Sequence, residues 1–137
     1  MRFLLAVHLL VLCVGLGDAC YCPDYPPNGC DSQYSILGDV LRRQVQRPGI
    51  NGRSVYTVRV LQIYKAERPL PYVWPGIVRI SAYHGSSTCG VILTTGRLYV
   101  ISGYYQGSSL QTSSCSYVRQ WNEIPFSERW NLYCRHF

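Results

Sequence analysis

Residues Ser54–Tyr64 read SVYTVRVLQIY. Valine, isoleucine, threonine and tyrosine dominate the stretch, and Tyr56, Val58 and Val60 alternate with Thr57 and Arg59. Residues two apart share one face of a strand, so this is a half-buried β-strand with the first three on one face. Upstream, Arg47–Arg53 (RPGINGR) holds Pro-Gly and Asn-Gly pairs and is a turn by composition. Before it, Tyr34–Val45 (YSILGDVLRRQV) is β-capable but interrupted by Gly38, which predicts a bulge or a bend. Downstream, Glu67–Pro71 breaks the pattern. Ile77–Tyr83, Gly90–Thr94, Leu98–Tyr105 and Leu110–Val118 then continue a series of short strands between Gly and Ser turns. Only the tail changes character. In Trp121–Cys134, Phe126, Trp130 and Cys134 fall at i, i+4 and i+8, which predicts a short helix resting an aromatic face on the sheet. Five or six short strands with a capping helix predict an all-β chain, a small closed or nearly closed β-barrel. No internal repeat or low-complexity segment is visible, so one compact module is expected.

The first residues read differently. Met1-Arg2 is a short positive segment, and Phe3–Leu16 is an almost unbroken apolar run. That run is shorter than the roughly 20 residues a membrane-crossing helix needs. Gly17-Asp18-Ala19 offers small residues at the −3 and −1 positions of a signal-peptidase site. A retained signal anchor is the rival reading. The absence of a stop-transfer flank and the abrupt change in composition favour cleavage after Ala19. Residues 1–19 are therefore expected to be a signal peptide, and residues 20–137 a single secreted, extracellular domain.

Of the seven cysteines, Cys13 lies inside this leader. Cys20, Cys22, Cys30, Cys89, Cys115 and Cys134 remain, an even set that in an oxidising compartment predicts three disulfides. Fifteen pairings are possible, and spacing alone does not choose among them. Cys20 and Cys22 are too close in an extended segment to pair with each other easily, so the early three are expected to staple to the late three. Such long closures contribute roughly 4 kcal/mol each on the loop-entropy model. Structural zinc is disfavoured, because the late cysteines sit singly with no second close pair or nearby histidine.

The formal charge is +6, and Lys65 is the only lysine among thirteen basic residues. Outside the cell this balance suits anionic glycans or acidic surfaces better than nucleic acid. Arg42-Arg43 with Arg47 is the densest cluster, but strand alternation puts the two neighbours on opposite faces. No catalytic constellation emerges. Residues 20–137 hold two histidines, His84 and His136, and no H-E-x-x-H. His84 beside Ser86 and Ser87 is a common loop composition, and the carboxylates are scattered. The chain reads as a binding protein, not an enzyme, with no cofactor of its own.

A mature chain opening at Cys20 has a further property. Its α-amino nitrogen and carbonyl oxygen can close a five-membered chelate on a metal ion, and the amine, with a pKa of about 7.7–8.0, loses its proton easily near neutrality. A catalytic zinc keeps one position open for water. A chain terminus filling that position removes the nucleophile. Disulfides at the first and third residues would hold such a terminus rigid.

Cys20-Tyr21-Cys22 after the leader, Cys30, Ser87-Thr88-Cys89-Gly90-Val91, Leu98–Gly103, Cys115, and Trp121 leading to Cys134 together resemble the N-terminal inhibitory domain of the tissue inhibitors of metalloproteinases, within the netrin-like (NTR) family. The resemblance covers residues 20–137 and implies an OB-like five-stranded closed barrel with flanking helices. It also implies the pairs Cys20–Cys89, Cys22–Cys115 and Cys30–Cys134. By position, Cys20 would chelate the zinc of a matrix-metalloproteinase-like enzyme and Tyr21 would enter its S1′ pocket. Cys22, Pro23 and Asp24 would follow the primed side, and Ser87 and Thr88 the unprimed side. The family usually has Thr or Ser where this chain has Tyr21, so only a deep S1′ pocket should admit it. The Cys22–Cys30 segment is shorter than in vertebrate members, and no match to their second, cysteine-rich domain is seen. The expected protein is a monomeric, secreted zinc-metalloproteinase inhibitor. The alternative is a netrin-like module that binds extracellular matrix or anionic glycans without inhibiting.

Overall fold

In the computed structural model, residues 20–22, 24–85 and 88–134 are described. Residues 1–19, Pro23, Ser86, Ser87 and residues 135–137 lie outside them. Six strands follow in order: β1 (Tyr34–Arg47), β2 (Arg53–Ala66), β3 (Ile77–Tyr83), β4 (Leu98–Gln106), β5 (Ser109–Gln111) and β6 (Val118–Gln120). Neighbours run β1-β2-β3-β5-β4, and β4 pairs back onto β1, so five strands close a ring with β6 attached outside to β4. All pairings are antiparallel except β3 with β5. Closure removes sheet edges and gives the barrel expected from the strand pattern.

Alternation explains what fills it. Tyr56 and Val58 of β2 are fully buried beside Ile36 and Val40 of β1, Val78, Ile80 and Ala82 of β3, and Ile101 of β4. Thr57 is half-buried and Arg59 exposed on the opposite face. At Gly38 the register of β1 against β2 slips, a bulge as the sequence suggests. The glycine is needed there, because a Cβ would overlap the side chain of Val58.

Three local readings are corrected. Gly90–Thr94 has strand composition but no ladder. Two of its amides are taken by tyrosine hydroxyls: Leu93 N–H donates to Tyr56 Oη at 3.1 Å, and Thr94 N–H to Tyr99 Oη at 2.9 Å. Leu110–Val118 is not one strand either. β5 ends at Gln111 and β6 begins at Val118, and the Ser-rich segment between them turns inward. Within that segment Thr112 Oγ1 donates to the Ser102 carbonyl at 2.7 Å, and Ser102 N–H donates to the Tyr117 carbonyl at 2.9 Å.

The tail is helical, but as two 3-10 turns, Trp121–Glu123 and Phe126–Leu132, with Pro125 between them. With three residues per turn, side chains four apart no longer share a face. Ile124 and Leu132 are the buried residues, packed with Tyr64, Val100 and Tyr117 on the outside of the barrel. Phe126 and Trp130 face solvent.

Candidate functional site

The loop after β3 is compact. Gly90 N–H and Thr88 Oγ1 both donate to the Gly85 carbonyl, at 2.8 and 2.9 Å, and Val91 N–H donates to the Tyr83 carbonyl at 2.9 Å. Between them Cys89 adopts φ 54, the left-handed region that residues with a Cβ rarely visit. Gly90 has no room for a Cβ, which would meet the Tyr83 carbonyl. The loop leans on the β1–β2 turn: His84 N–H donates to the Gly52 carbonyl at 2.9 Å, and Gly85 packs against the Ile50 carbonyl.

This loop holds the start of the described chain. Cys89 is bonded to Cys20, with 5.2 Å between Cα atoms, and Cys115 to Cys22, at 5.3 Å. The two bridges lie side by side. Cys115 Sγ is 3.6 Å from Cys89 Sγ and 3.9 Å from Cys20 Sγ, contacts between oxidised sulfurs that carry no proton to share. Ser114 N–H donates to the Cys89 carbonyl at 2.8 Å and locks the two loops together. The third bridge, Cys30–Cys134, ties the segment before β1 to the tail. Although four sulfurs cluster here, each is spent on a disulfide and offers no thiolate to a metal.

Cys20 and Cys22 are half-buried, and Thr88 is half-buried beside them in the loop. Tyr21, between the two bridged cysteines, is 80 % exposed. Asp24 is also exposed. Pro23 and Ser87, the other two candidate contacts, lie outside the described residues. Tyr117 flanks the Cys115 loop. Burial holds its phenol above the ordinary value, with Arg119 pulling the other way.

His84 is held from the neighbouring strands. Its Nε2 meets Oγ of Ser54 on β2, and Arg43 Nε donates to that same oxygen at 3.0 Å. Since Arg43 can only donate, the Ser54 hydroxyl proton is free to point at His84 Nε2. Ser54 is fully buried, so its hydroxyl braces the loop and is itself closed to substrate. Nothing in the local sequence marks Ser54 and Arg43 as its partners; β1–β2 register brings them together.

A family model described as "Tissue inhibitor of metalloproteinase" matches residues 18–136. Among similar proteins, "Metalloproteinase inhibitor 3" of Gallus gallus is 27% identical over 88% of this chain and 57% of its own length. "Metalloproteinase inhibitor 3" of Xenopus laevis is 26% identical over 87% of this chain and 55% of its own. An "NTR domain-containing protein" of Margaritifera margaritifera is 24% identical over 96% of this chain and 89% of its own. The chain thus spans little more than half the length of the two vertebrate inhibitors. The family model covers most of the chain, and the ring of five strands and the three disulfides accord with it: the chain belongs to the tissue inhibitor of metalloproteinase family.

Proposed function

We propose that the protein is a secreted inhibitor of zinc metalloproteinases that acts through Cys20 after removal of residues 1–19. The observation that carries this reading is the double anchoring of Cys20 and Cys22 to two loops that are themselves locked together. A terminus held this way loses little freedom on binding, so its amine and carbonyl meet a metal at low entropic cost. The chain would supply no reaction of its own. Cys20 would take the position a catalytic zinc keeps for water and leave the enzyme without its nucleophile.

The test is inhibition of a panel of zinc metalloproteinases by protein whose intact mass and terminal sequence establish Cys20 as the first residue. Stoichiometric inhibition of at least one enzyme is expected. Failure against every enzyme, with three disulfides intact, would leave the reading without support.

Tyr21 would determine which enzymes respond. It is 80 % exposed, so most of its ring is left for a partner. A phenol is far larger than threonine, so shallow S1′ pockets would reject it while deep ones gain buried aromatic area. Tyr21→Thr is expected to weaken binding to deep-pocket enzymes by roughly 2 kcal/mol, some thirtyfold. It should broaden inhibition toward shallow-pocket enzymes and leave the melting temperature unchanged. An inhibition profile that does not move between the two enzyme types removes Tyr21 from the specificity surface.

A further inference from the structure

The loop joining β2 to β3 carries Trp74, 90 % exposed, the most exposed large apolar side chain among the described residues. Tyr72 and Val73 beside it are exposed as well. This is not a slack segment. Leu70 is buried at its root, Val73 N–H donates to the Ile77 carbonyl at 2.7 Å, and Ile77 N–H returns a bond of 2.9 Å. Gly76, at φ 117, completes the turn, and its carbonyl accepts from Val60 N–H at 3.0 Å. A braced backbone therefore holds a contiguous apolar tip in water, which single scattered surface residues do not do.

Strand register continues the surface beyond the tip. Val73 bridges Ile77, and Ile77 stands opposite Arg59, so the three share one outer face. Arg79, two residues along β3, lies opposite Thr57, which in turn faces Arg42 on β1. These three arginines are exposed. The ion pairs among the described residues are Lys65–Glu67 and Arg119–Glu128, which leaves Arg42, Arg59 and Arg79 unpaired. Asp39, opposite Arg59 on β1, does not come within ion-pair distance.

We propose that the Tyr72–Trp74 tip, with Arg59 and Arg79 beneath it, docks the protein on an anionic lipid surface. Tryptophan and tyrosine settle at the headgroup level of a bilayer, where one end of the ring stays wet. Guanidinium groups just behind such a tip meet anionic headgroups, and the chain's net charge of +6 favours the approach. A sulfated glycan would use the arginines and leave Trp74 idle, so the rigid apolar tip decides for lipid. β3 runs from Ile77 beside the tip to Tyr83 beside the Cys89 loop, roughly 20 Å at strand rise. The Cys20 region thus lies at the other end of the barrel from the docking tip. This inference stands on the tip and the arginines and does not depend on inhibition.

Co-sedimentation with phosphatidylcholine vesicles, with and without phosphatidylserine, tests it, with tryptophan emission as a second signal. The protein is expected to bind only vesicles containing phosphatidylserine, with a blue shift in emission that Trp74→Ala removes. Trp74→Ala should weaken binding about tenfold or more. Arg59→Gln and Arg79→Gln should each weaken it about fivefold, and high salt should do the same. All three side chains face solvent, so an unchanged melting temperature will confirm that the variants fold. Equal binding to both vesicle types, or no loss with Trp74→Ala, overturns the proposal. So does retention on a sulfated glycan matrix without vesicle binding, which would assign the arginines to glycan.

Discussion

Protein carrying one extra alanine before Cys20 is expected to lose inhibition while keeping its fold. The extension changes two things at the proposed contact. The terminal amine becomes an amide nitrogen, whose lone pair is delocalised and which is a poor zinc ligand. A methyl group and a second carbonyl also enter the space that a metal must occupy. Nothing else should change, because the Cys20–Cys89 and Cys22–Cys115 bridges remain. Loss of a central contact of this kind costs about 4 kcal/mol or more, three orders of magnitude in affinity. Titration of a sensitive enzyme measures it, with thermal melting as the control for folding. Removing the alanine with an aminopeptidase should restore inhibition. If the extended protein inhibits as tightly as the native one, chelation by Cys20 is wrong, while family membership and fold are untouched.

How much of this was legible depends on whether a signal is local. Strands that bury one face and expose the other announce themselves, which is why β2, with Tyr56 and Val58 inside and Arg59 outside, could be read directly. β5 could not. It is three residues long and closes the ring through two parallel pairs with β3, Ile80 with Leu110 and Ser81 with Gln111. That closure is set by residues about thirty positions apart and leaves no periodicity to detect. The tail failed for a different reason. Spacing of four favours an aromatic face only if the turn has 3.6 residues, and around Pro125 the chain takes 3-10 geometry.

The candidate site divides in the same way. An even cysteine count and a cysteine beside the leader are properties of the string itself. The bracing of the Cys89 loop is not, because it rests on Arg43 and Ser54 meeting His84 across two strands. Charge shows the same limit. Arg42 and Arg43 look like one cluster in the sequence, yet Arg42 faces solvent and Arg43 turns to the buried Ser54.

The largest stability effect is expected at Gly103, where ring closure is tightest. This residue of β4 stands opposite Tyr34 of β1, and its carbonyl accepts from Gln33 N–H at 2.9 Å. A Cβ there would overlap the Gln111 carbonyl oxygen and press on Tyr34 Oη at 2.8 Å. Those two atoms are bonded to each other, the buried Tyr34 hydroxyl donating to Gln111 O at 2.8 Å. Gly103→Ala therefore forces β5 away from β4 and breaks a buried hydrogen bond that no water can replace. Overpacking and the unsatisfied polar pair together cost about 4 kcal/mol. In a domain of this size that lowers the melting temperature by roughly 15 °C. Inhibition should weaken too. The segment that shifts leads from Gln111 to Cys115, whose bridge to Cys22 holds the chain beside Cys20. Gly49→Ala is the control: Gly49 has φ 95 but open space around it, so its substitution costs only local backbone strain, about 1 kcal/mol. Equal melting temperatures for the two variants would mean that β4 and β5 relax around the added methyl, and that the crowding at Gly103 does not hold the ring closed.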